Sequence, residues 1–236
     1  MDTINSKTAY SIYNVAQKKR TKINPLEQIY PELPKKKYDI IYADPPWDYG
    51  GKMQYDKSTI KSENHNFEKN IFISSASFKY PTLKLKDLQK LDIRSIANDD
   101  CLLFMWTTGP QLANSILLGE TWGFEYKTVA FVWDKKMHNP GRYTLSQTEF
   151  ILVFKKGKIP QPRGARNIRQ LIAYKRGKHS EKPETFISAI SEMFPTQRKI
   201  ELFARKNYLG WDNWGLEVPD RPITIKTREE LDNQEG

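Results

Sequence analysis

Cysteine and histidine are both scarce in this sequence, which holds one cysteine, Cys101, and three histidines in 236 residues. A single cysteine excludes an internal disulfide framework and a cysteine-rich zinc site. It lies in the apolar run 101–106, where we expect a small core residue. The scattered histidines, His65, His138 and His179, do not form a metal site on their own, and we expect surface or loop roles for them. The sequence therefore predicts no bound metal.

Long apolar segments are also absent. No stretch approaches the roughly 20 apolar residues that a membrane-spanning helix needs. The N-terminus lacks the apolar core of a signal peptide. We therefore expect an intracellular, cytoplasmic protein without a membrane partner.

Negative charge is in deficit, because 38 lysines and arginines stand against 28 aspartates and glutamates. The formal charge of +10 and the isoelectric point near 9.4 favour a polyanionic partner, and nucleic acid is the usual one. Charge alone does not separate DNA from RNA or from an anionic membrane. A chain of 236 residues can bury the core of one α/β domain, with little left for a second.

The most informative segment is Asp44-Pro45-Pro46-Trp47, which directly follows the apolar run 38–43. The prolines fix φ and remove two backbone donors, and the residue before a proline is disfavoured in helical geometry. The pattern predicts a buried strand that ends at a rigid acidic corner (residues 44–47). Such a corner offers a carboxylate, carbonyls without a local amide partner and an aromatic face, which together could hold the amino group of a nucleobase. The alternative is a strand that ends in a tight turn with a surface tryptophan.

Strand-like and helix-like segments alternate along the chain. Strands are predicted at residues 38–43, 101–106, 128–133, 148–154 and 199–204, and helical segments at 25–30, 83–96, 112–118 and 183–194. This alternation predicts an α/β fold, in which a mostly parallel sheet carries helices on both faces. Ligands of such sheets bind beyond the carboxyl ends of the strands. Two of these ends carry suitable side chains, namely the acidic corner and the run 205–208.

The organisation outside these segments is predicted from composition. We expect a flexible basic arm over residues 1–22, a single domain over 23–218 and a polar tail over 219–236. The polar, aperiodic stretch 49–80 is too long for a plain connection, and we interpret it as a flap over the site.

Four motifs in this order resemble the MT-A70 family. That family contains the catalytic subunit of the eukaryotic messenger-RNA adenosine methyltransferase and its DNA-methylating relatives from bacteria and phages. The motifs are the acidic corner, the run 103–107, the Trp-Gly-Phe sequence at 122–124 and the run 198–205. The order and spacing hold from about residue 38 to 218, and the run 210–215 resembles the bacterial and phage branch.

The resemblance implies a Rossmann-like methyltransferase that uses S-adenosylmethionine, with the catalytic motif ahead of the cofactor strand in the permuted order of the β class. Asp44 and the Pro45 carbonyl would each accept one N–H of the adenine amino group, so that the nitrogen lone pair faces the methyl group. Pro46 and Trp47 complete the catalytic motif. Trp47, together with Tyr49, would stack on the extruded base.

Cofactor-binding residues carry over from the family by position. Lys182 matches a lysine that contacts the cofactor carboxylate, although spacing alone favours an ordinary exposed lysine. Leu216 departs from the ribose-binding asparagine of many relatives, so that Glu217 is the candidate for the ribose. The expected set is Asp44, Pro46, Lys182, Arg205, Asn207, Tyr208, Glu217 and, as the nearest match for the cofactor's adenine, Asn24. A glycine-rich phosphate loop is absent, and none is required, because a side-chain fork such as Arg205 suits a carboxylate.

Nucleic-acid contacts are predicted from the basic segment (residues 155–179) and from residues 135–143. The Gly-Arg-Tyr-Thr run 141–144 resembles a family segment near the substrate pocket. The basic segment is interrupted by glycine and proline, which is typical of a loop that follows phosphates; a solvated charged loop is the alternative. The expected contacts are Arg142, Arg163, Arg166, Arg169, Lys175 and Arg176 to the nucleic acid, with Trp106 and Tyr143 near the base. Trp106 and Trp133 end strands on the same side of the sheet, but a tryptophan in such a position is more often a core residue than a base platform.

We therefore expect methyl transfer to the 6-amino group of adenine in duplex DNA, with the target base flipped out, in a bacterial or phage restriction–modification or epigenetic setting. The same reaction on RNA remains an alternative. So does a catalytically silent subunit that only binds nucleic acid. Methylation of the cytosine 4-amino group is disfavoured, because it usually goes with serine in place of Asp44. The sequence leaves open a homodimer or a methyltransferase-like partner subunit.

Overall fold

The computed structural model describes residues 30–48, 54–55, 71–72, 82–139, 143–175, 177, 181–216, 218–220 and 222–232. Within these residues, seven strands form the main sheet and two short strands pair separately. In chain order the strands are β1 (Tyr38–Ala43), β2 (Gln54–Tyr55), β3 (Ile71–Phe72), β4 (Ala97–Thr107), β5 (Glu125–Asn139), β6 (Ser146–Lys156), β7 (Leu171–Ala173), β8 (Lys199–Leu202) and β9 (Asp212–Trp214). The helices are α1 (Leu85–Leu88), α2 (Leu112–Thr121), α3 (Glu184–Met193) and α4 (Arg228–Asp232), with short 3₁₀ helices at Ile93–Ile96 and Gly109–Gln111.

The main sheet has the strand order β7-β5-β6-β4-β1-β8-β9. Strand β1 lies between β4 and β8 and runs parallel to both, so that Tyr42 is level with Phe104 on one side and Glu201 on the other. Strand β6 runs antiparallel to both of its neighbours, β4 and β5. Within the main sheet of the described residues, four pairings are parallel and two antiparallel, which confirms the predicted mostly parallel sheet.

Both faces of the sheet are covered, as the alternation of strands and helices predicts. Side chains of β1 point alternately to the two faces, with Ile41 in one buried cluster and Ile40 in the other. The first cluster contains Leu88 of α1 and Leu118 of α2. The second contains Phe186 of α3, which is fully buried against the sheet. A strand segment buried on both faces is apolar, which explains the apolar run 40–43 that follows the partly buried Asp39 in β1.

The predicted helical segment 83–96 is wrong in extent. Helix α1 covers only its first turn, and the chain then bends before the 3₁₀ helix Ile93–Ile96. Asp92 caps that second turn, since its carboxylate accepts a hydrogen bond from the Ser95 amide at 3.3 Å. Such a local side-chain bond competes with the continuous helical ladder. Leu88 and Ile93 are both buried, so that core packing accounts for the apolar spacing without one long helix.

The polar C-terminal segment packs against α3, which its composition does not indicate. The Lys226 amide donates to Glu184 at 2.9 Å, and Arg228 Nε donates to Glu192 at 2.8 Å. Leu231 of α4 is buried. Residues 1–22 and most of the expected flap 49–80 lie outside the described residues, and the division into domains stays a prediction.

Candidate active site

The acidic corner is held rigidly at the carboxyl end of β1. The Trp47 amide donates to the Pro45 carbonyl at 2.8 Å, and the Leu83 amide donates to the Pro46 carbonyl at the same distance. The expectation that these carbonyls lack an amide partner is therefore wrong, because the chain folds back over the corner at Leu83. A carbonyl oxygen has two lone pairs, so that Pro45 can still accept a second hydrogen bond.

Trp47 anchors the corner to the core. Its side chain is 5 % exposed and belongs to the cluster that contains Leu83. Its backbone also pairs with Leu83. Because both faces of a buried ring are covered, the expected stacking of Trp47 on a base does not fit this conformation. Its indole Nε1 has no hydrogen-bond partner among the described residues. Tyr49, the second expected stacking residue, lies outside them.

Five charged side chains of alternating sign surround the corner, and we call them the charge network (Arg205, Asp44, Lys182, Glu149 and Lys135). Arg205 lies 3.8 Å from one oxygen of Asp44, and Lys182 Nζ lies 3.5 Å from the other. Lys182 also lies 2.8 Å from Glu149 Oε2, and Lys135 lies 3.3 Å from Glu149 Oε1. The network joins the ends of β8 and β1 to side chains on β6 and β5. It runs along what we call the carboxyl edge of the sheet, where β1 and β8 end.

The two carboxylates of the network differ in their electrostatics. Burial raises the pKa of Asp44, and the nearby Lys182 and Arg205 oppose that rise. Burial also disfavours the charged form of Glu149, but Lys182 and Lys135 outweigh it and hold its pKa below the ordinary value. Glu149 is thus the firmly ionised partner of Lys182, and Asp44 is the carboxylate that the network holds less tightly.

The ring of Trp106 packs against Lys182 of the charge network. It is 1 % exposed, and its Nε1 donates to the Tyr42 hydroxyl at 2.5 Å. Lys182 Nζ lies 4.7 Å from its ring centroid, within the range of a cation–π interaction. A ring that is buried and covered by an ammonium cannot also stack on a base. The expected base contact of Trp106 is therefore wrong, and its core interpretation holds.

A cavity of about 250 Å³ opens beside Asp44, between the carboxyl edge and the start of α3. Its apolar wall includes Tyr42, Ile187 and Tyr208. Its charged lining consists of Asp44, Glu181, Lys182, Glu201, Arg205 and Lys206. Lys206 pairs with Glu181 at 2.7 Å on the rim. The cavity thus presents groups of both signs to any ligand.

The turn after β8 shapes one side of this cavity without a glycine. Phe203 has a φ of 61°, in the left-handed region that non-glycine residues rarely occupy. Its ring packs at 5.6 Å from Tyr30 and 5.3 Å from Trp214, measured between centroids. This packing holds the unusual backbone conformation. At Gly215, an added Cβ would lie 2.2 Å from the Ala204 carbonyl, so that the close approach of the two segments requires glycine.

Comparison with known proteins bears on these observations directly. The MT-A70 family profile matches residues 38–217. The chain belongs to the MT-A70 family. It is 74 % identical over 228 residues to the Type II methyltransferase M.MunI of a Mycoplasma species. The aligned residues cover 97 % of this chain and 98 % of the relative. Family and relative together identify a methyltransferase.

Eukaryotic members of the MT-A70 family are more distant. The human N(6)-adenosine-methyltransferase catalytic subunit METTL3 is 25 % identical over 186 residues, which cover 75 % of this chain and 27 % of METTL3. The mouse N(6)-adenine-specific methyltransferase METTL4 is 24 % identical over 200 residues, which cover 78 % of this chain and 38 % of METTL4. The seven-stranded sheet of the described residues accords with the Rossmann-like fold that the resemblance implies, and β1 with its acidic corner precedes β8 in the chain.

Among the expected cofactor residues of this MT-A70 domain, Asp44, Lys182, Arg205 and Tyr208 line the cavity. Asn207 does not fit its expected contact with the cofactor, because both ends of its side-chain amide are in use. Its Nδ2 donates to the Pro219 carbonyl at 3.1 Å, and its Oδ1 accepts from Asn213 Nδ2 at 2.9 Å. Its side chain instead ties the C-terminal segment to the turn after β8. Pro46 is buried in the corner, and its carbonyl is used by Leu83. Asn24 and Glu217 lie outside the described residues.

The basic segment is not the single loop that its glycines and prolines predicted, because it includes the end of β6 and strand β7. Because β6 runs antiparallel to β4, it ends at the opposite edge, where Lys156 pairs with Cys101. Gly164 donates to the Met193 carbonyl at the far end of α3. The chain then returns through β7, which runs parallel to β5, and reaches the carboxyl edge at Lys175, past Tyr174. The segment therefore crosses the whole height of the domain.

The expected nucleic-acid residues separate accordingly. Arg163 lies at the far edge with its guanidinium 5.1 Å from the Phe194 ring centroid, so that its expected contact conflicts with its packing role. Arg166 and Arg169 are exposed along the returning chain, and Lys175 is exposed at the carboxyl edge. Tyr143 is 92 % exposed next to the β5–β6 connection. Arg142 and Arg176 lie outside the described residues.

Five charged side chains of the site were not among the expected site residues, namely Lys135 and Glu149 of the charge network and Glu181, Glu201 and Lys206 of the cavity. A signal existed for Glu201, since it interrupts the apolar run 200–204 and buried carboxylates need a partner. Glu149 lies where the polar start of β6 meets its apolar run 150–154. Lys135 carried no signal of its own within the basic run 135–136.

Two further observations apply to the described part of the chain. None of its helices is long and apolar enough to cross a membrane. In the same residues, no group of three or more histidine, cysteine, aspartate or glutamate side chains could hold a metal ion. The expected homodimer or partner subunit stays a prediction.

Proposed function

We propose that this protein transfers a methyl group from S-adenosylmethionine to the 6-amino group of adenine in DNA. The observation that carries the proposal is the position of Asp44. Its carboxylate stands at the carboxyl end of the central strand β1, on a mixed-charge cavity, with cations on both sides. The 74 % identity to a Type II methyltransferase over nearly the whole chain supports DNA as the substrate.

Asp44 suits the task of holding an amino group. Its ion pairs with Lys182 and Arg205 are long, at 3.5 and 3.8 Å, and a carboxylate has about four acceptor sites, so that its oxygens can still accept from a donor that enters the site. The free lone pair of the Pro45 carbonyl supplies the second acceptor. Two acceptors on one amino group orient its nitrogen lone pair away from them, towards the methyl donor.

The charge of Asp44 is the second requirement. Methyl transfer places positive charge on the attacking nitrogen, and a carboxylate in a partly buried site stabilises that charge more than it would in water. Burial works against the carboxylate, and Lys182 and Arg205 keep it available. The two cations thus serve Asp44 by limiting the rise of its pKa on burial.

The cavity residues fit S-adenosylmethionine. Its tail carries a carboxylate and an ammonium, and the lining offers Lys182, Arg205 and Lys206 for the first and Asp44 for the second. When bound, the cofactor supplies the electrophilic methyl carbon. The apolar wall formed by Tyr42, Ile187 and Tyr208 excludes water from that end of the cavity.

The direct test is incubation of the purified protein with cofactor labelled in the methyl group and with duplex DNA, followed by digestion to nucleosides. We expect label in N6-methyladenine. Asp44→Asn should lose this label, and Asp87→Asn, at a surface carboxylate paired with Lys90, should keep it. Label in RNA alone would overturn the DNA assignment, and label in cytosine would overturn the base assignment.

A further inference from the structure

Glu201 is a partly buried carboxyl group that the proposed reaction does not yet use. It lies in the middle of β8, level with Tyr42 of β1 and Asn213 of β9. Its Oε2 atom is buried without a hydrogen-bond partner among the described residues, although the side chain lines the cavity. Nearly all buried polar atoms of folded proteins have a partner. An orphaned oxygen on a cavity wall therefore indicates a donor that arrives with a ligand.

The charges around Glu201 indicate the kind of hydrogen-bond donor that the ligand brings. Burial raises the pKa of Glu201 to about 8, Asp44 adds to the rise, and Arg205 and Lys206 offset part of it. Glu201 thus lacks a cation close enough to keep it ionised at neutral pH. Its counterpart on the rim, Glu181, already pairs with Lys206. The wall that holds Asp44 and Glu201 is accordingly the part of the cavity where a ligand cation is favoured.

We propose that Glu201 is a binding residue for the α-ammonium of the cofactor and takes it together with Asp44. The inference rests on the proposed function, which supplies the identity of the cofactor. An ammonium group has three N–H donors, and two carboxyl groups on one wall can accept at least two of them. Sharing the ammonium with Glu201 also leaves one oxygen of Asp44 for the base. A single aspartate would otherwise have to serve both ligands.

A change in protonation follows from this arrangement. The arriving ammonium favours the charged form of Glu201, so that cofactor binding near pH 7 releases a proton. The titratable groups that face Glu201 across the cavity are Tyr42 and Asp44 from β1, Glu181 and Lys182 from the segment before α3, and Arg205, Lys206 and Tyr208 from the turn after β8. Of these, Asp44 is the carboxylate that Lys182 and Arg205 keep available, because both oppose the rise of its pKa on burial.

Calorimetric titration with two ligands tests the assignment. One is S-adenosylhomocysteine, and the other is its analogue with hydrogen in place of the α-amino group. Charge-assisted hydrogen bonds of this kind are worth roughly 10-fold to 100-fold in affinity. Glu201→Gln should weaken binding of S-adenosylhomocysteine by that factor and leave the affinity for the analogue unchanged. Glu181→Gln, at the rim carboxylate, should leave the ratio of the affinities for the two ligands unchanged.

Proton release supplies an independent readout. Titration of S-adenosylhomocysteine at pH 7 in two buffers of different ionisation enthalpy should show release by the native protein and clearly less by Glu201→Gln. Thermal unfolding of the variant controls for folding. Equal loss of affinity for both ligands, or no loss for either, would overturn the role of Glu201 and leave the proposed function standing. Failure of the native protein to bind S-adenosylhomocysteine would overturn the proposed function itself.

Discussion

The Lys182 ammonium lies 2.8 Å from Glu149 Oε2, closer than to any oxygen of Asp44, whose nearest contact with it is 3.5 Å. Lys182 precedes α3, and Glu149 belongs to the antiparallel strand β6. The lysine is therefore drawn to one side and leaves space in front of Asp44. In this way Glu149 of the antiparallel strand β6 controls how strongly Asp44, the proposed catalytic carboxylate, is neutralised.

Replacement of Glu149 tests this control. In Glu149→Gln the lysine loses its charged partner, and we expect it to close on Asp44 and compete with the base amino group. The turnover number should fall by about 10-fold or more, with a smaller change in the affinity for DNA, as removal of a transition-state interaction predicts. Steady-state kinetics on duplex DNA measure both quantities. Glu125→Gln, at an exposed carboxylate paired with Lys127, is the matched control; equal activities of the two variants would contradict the interpretation.

Asp44→Asn should separate catalysis from binding. The amide keeps the size of the side chain but removes the charge and one acceptor, so that turnover should fall by at least about 100-fold, as for loss of an electrostatic stabiliser. Cofactor affinity should fall far less, since Lys182, Arg205 and the apolar wall remain. Single-turnover rates and calorimetry give the two values. Retention of most of the turnover would exclude Asp44 from the chemistry.

The stability of Glu201→Gln should depend on pH in a defined direction. The carboxyl ionises in the unfolded chain near pH 4.5 but keeps its proton in the folded protein up to about pH 8. Between these values the unfolded state binds fewer protons, so that the native protein loses stability as pH rises. Glutamine has no such proton. We expect the variant to melt like the native protein below pH 4.5 and to gain an advantage up to pH 8.

Each pKa unit corresponds to about 1.4 kcal/mol, so that this advantage can reach a few kcal/mol. Differential scanning calorimetry without ligand, at intervals across that pH range, measures it. A difference in melting temperature that stays constant with pH would show that Glu201 ionises normally in the folded protein.

Basic residues at the carboxyl edge and at the opposite edge of the sheet should have different roles in DNA binding. Lys175, at the carboxyl edge, should contact a phosphate, and Lys175→Ala should weaken DNA binding and reduce the slope of log affinity against log salt by about 0.9. Lys158 is also exposed but lies at the opposite edge, where its amide is bound by Asp100. Lys158→Ala is therefore the matched control and should leave the slope unchanged. Fluorescence anisotropy over a range of salt concentrations decides between the outcomes.

Arg163 should behave as a structural residue. Its guanidinium packs on Phe194 away from the carboxyl edge. Arg163→Ala should lower the melting temperature without changing the salt dependence of DNA binding. Weaker DNA binding by a variant of native stability would restore the expectation from the sequence.

The fold could be predicted where the pattern is local. The bounds of β1 agree with the predicted residues 38–43, because an apolar run that ends at two prolines has few other conformations. Strands β5 and β6 were predicted too short, since they extend as a hairpin through charged residues that carry no apolar signal. Strand β8 was predicted too long, because it ends at Leu202 and not at residue 204. The C-terminal packing on α3 was missed because it depends on ion pairs between segments that are distant in sequence, such as Arg228 with Glu192.

The sequence by itself determined the family and the acidic corner, since both depend on residue identities and proline geometry within a few positions. Only the tertiary structure decided what surrounds Asp44. Strand β6 enters the sheet antiparallel beside β4, which places Glu149 at the carboxyl edge, and β8 pairs with β1, which places Glu201 beneath the cavity. Strand order and register arise from packing between distant segments, so that local spacing cannot reveal which charges meet.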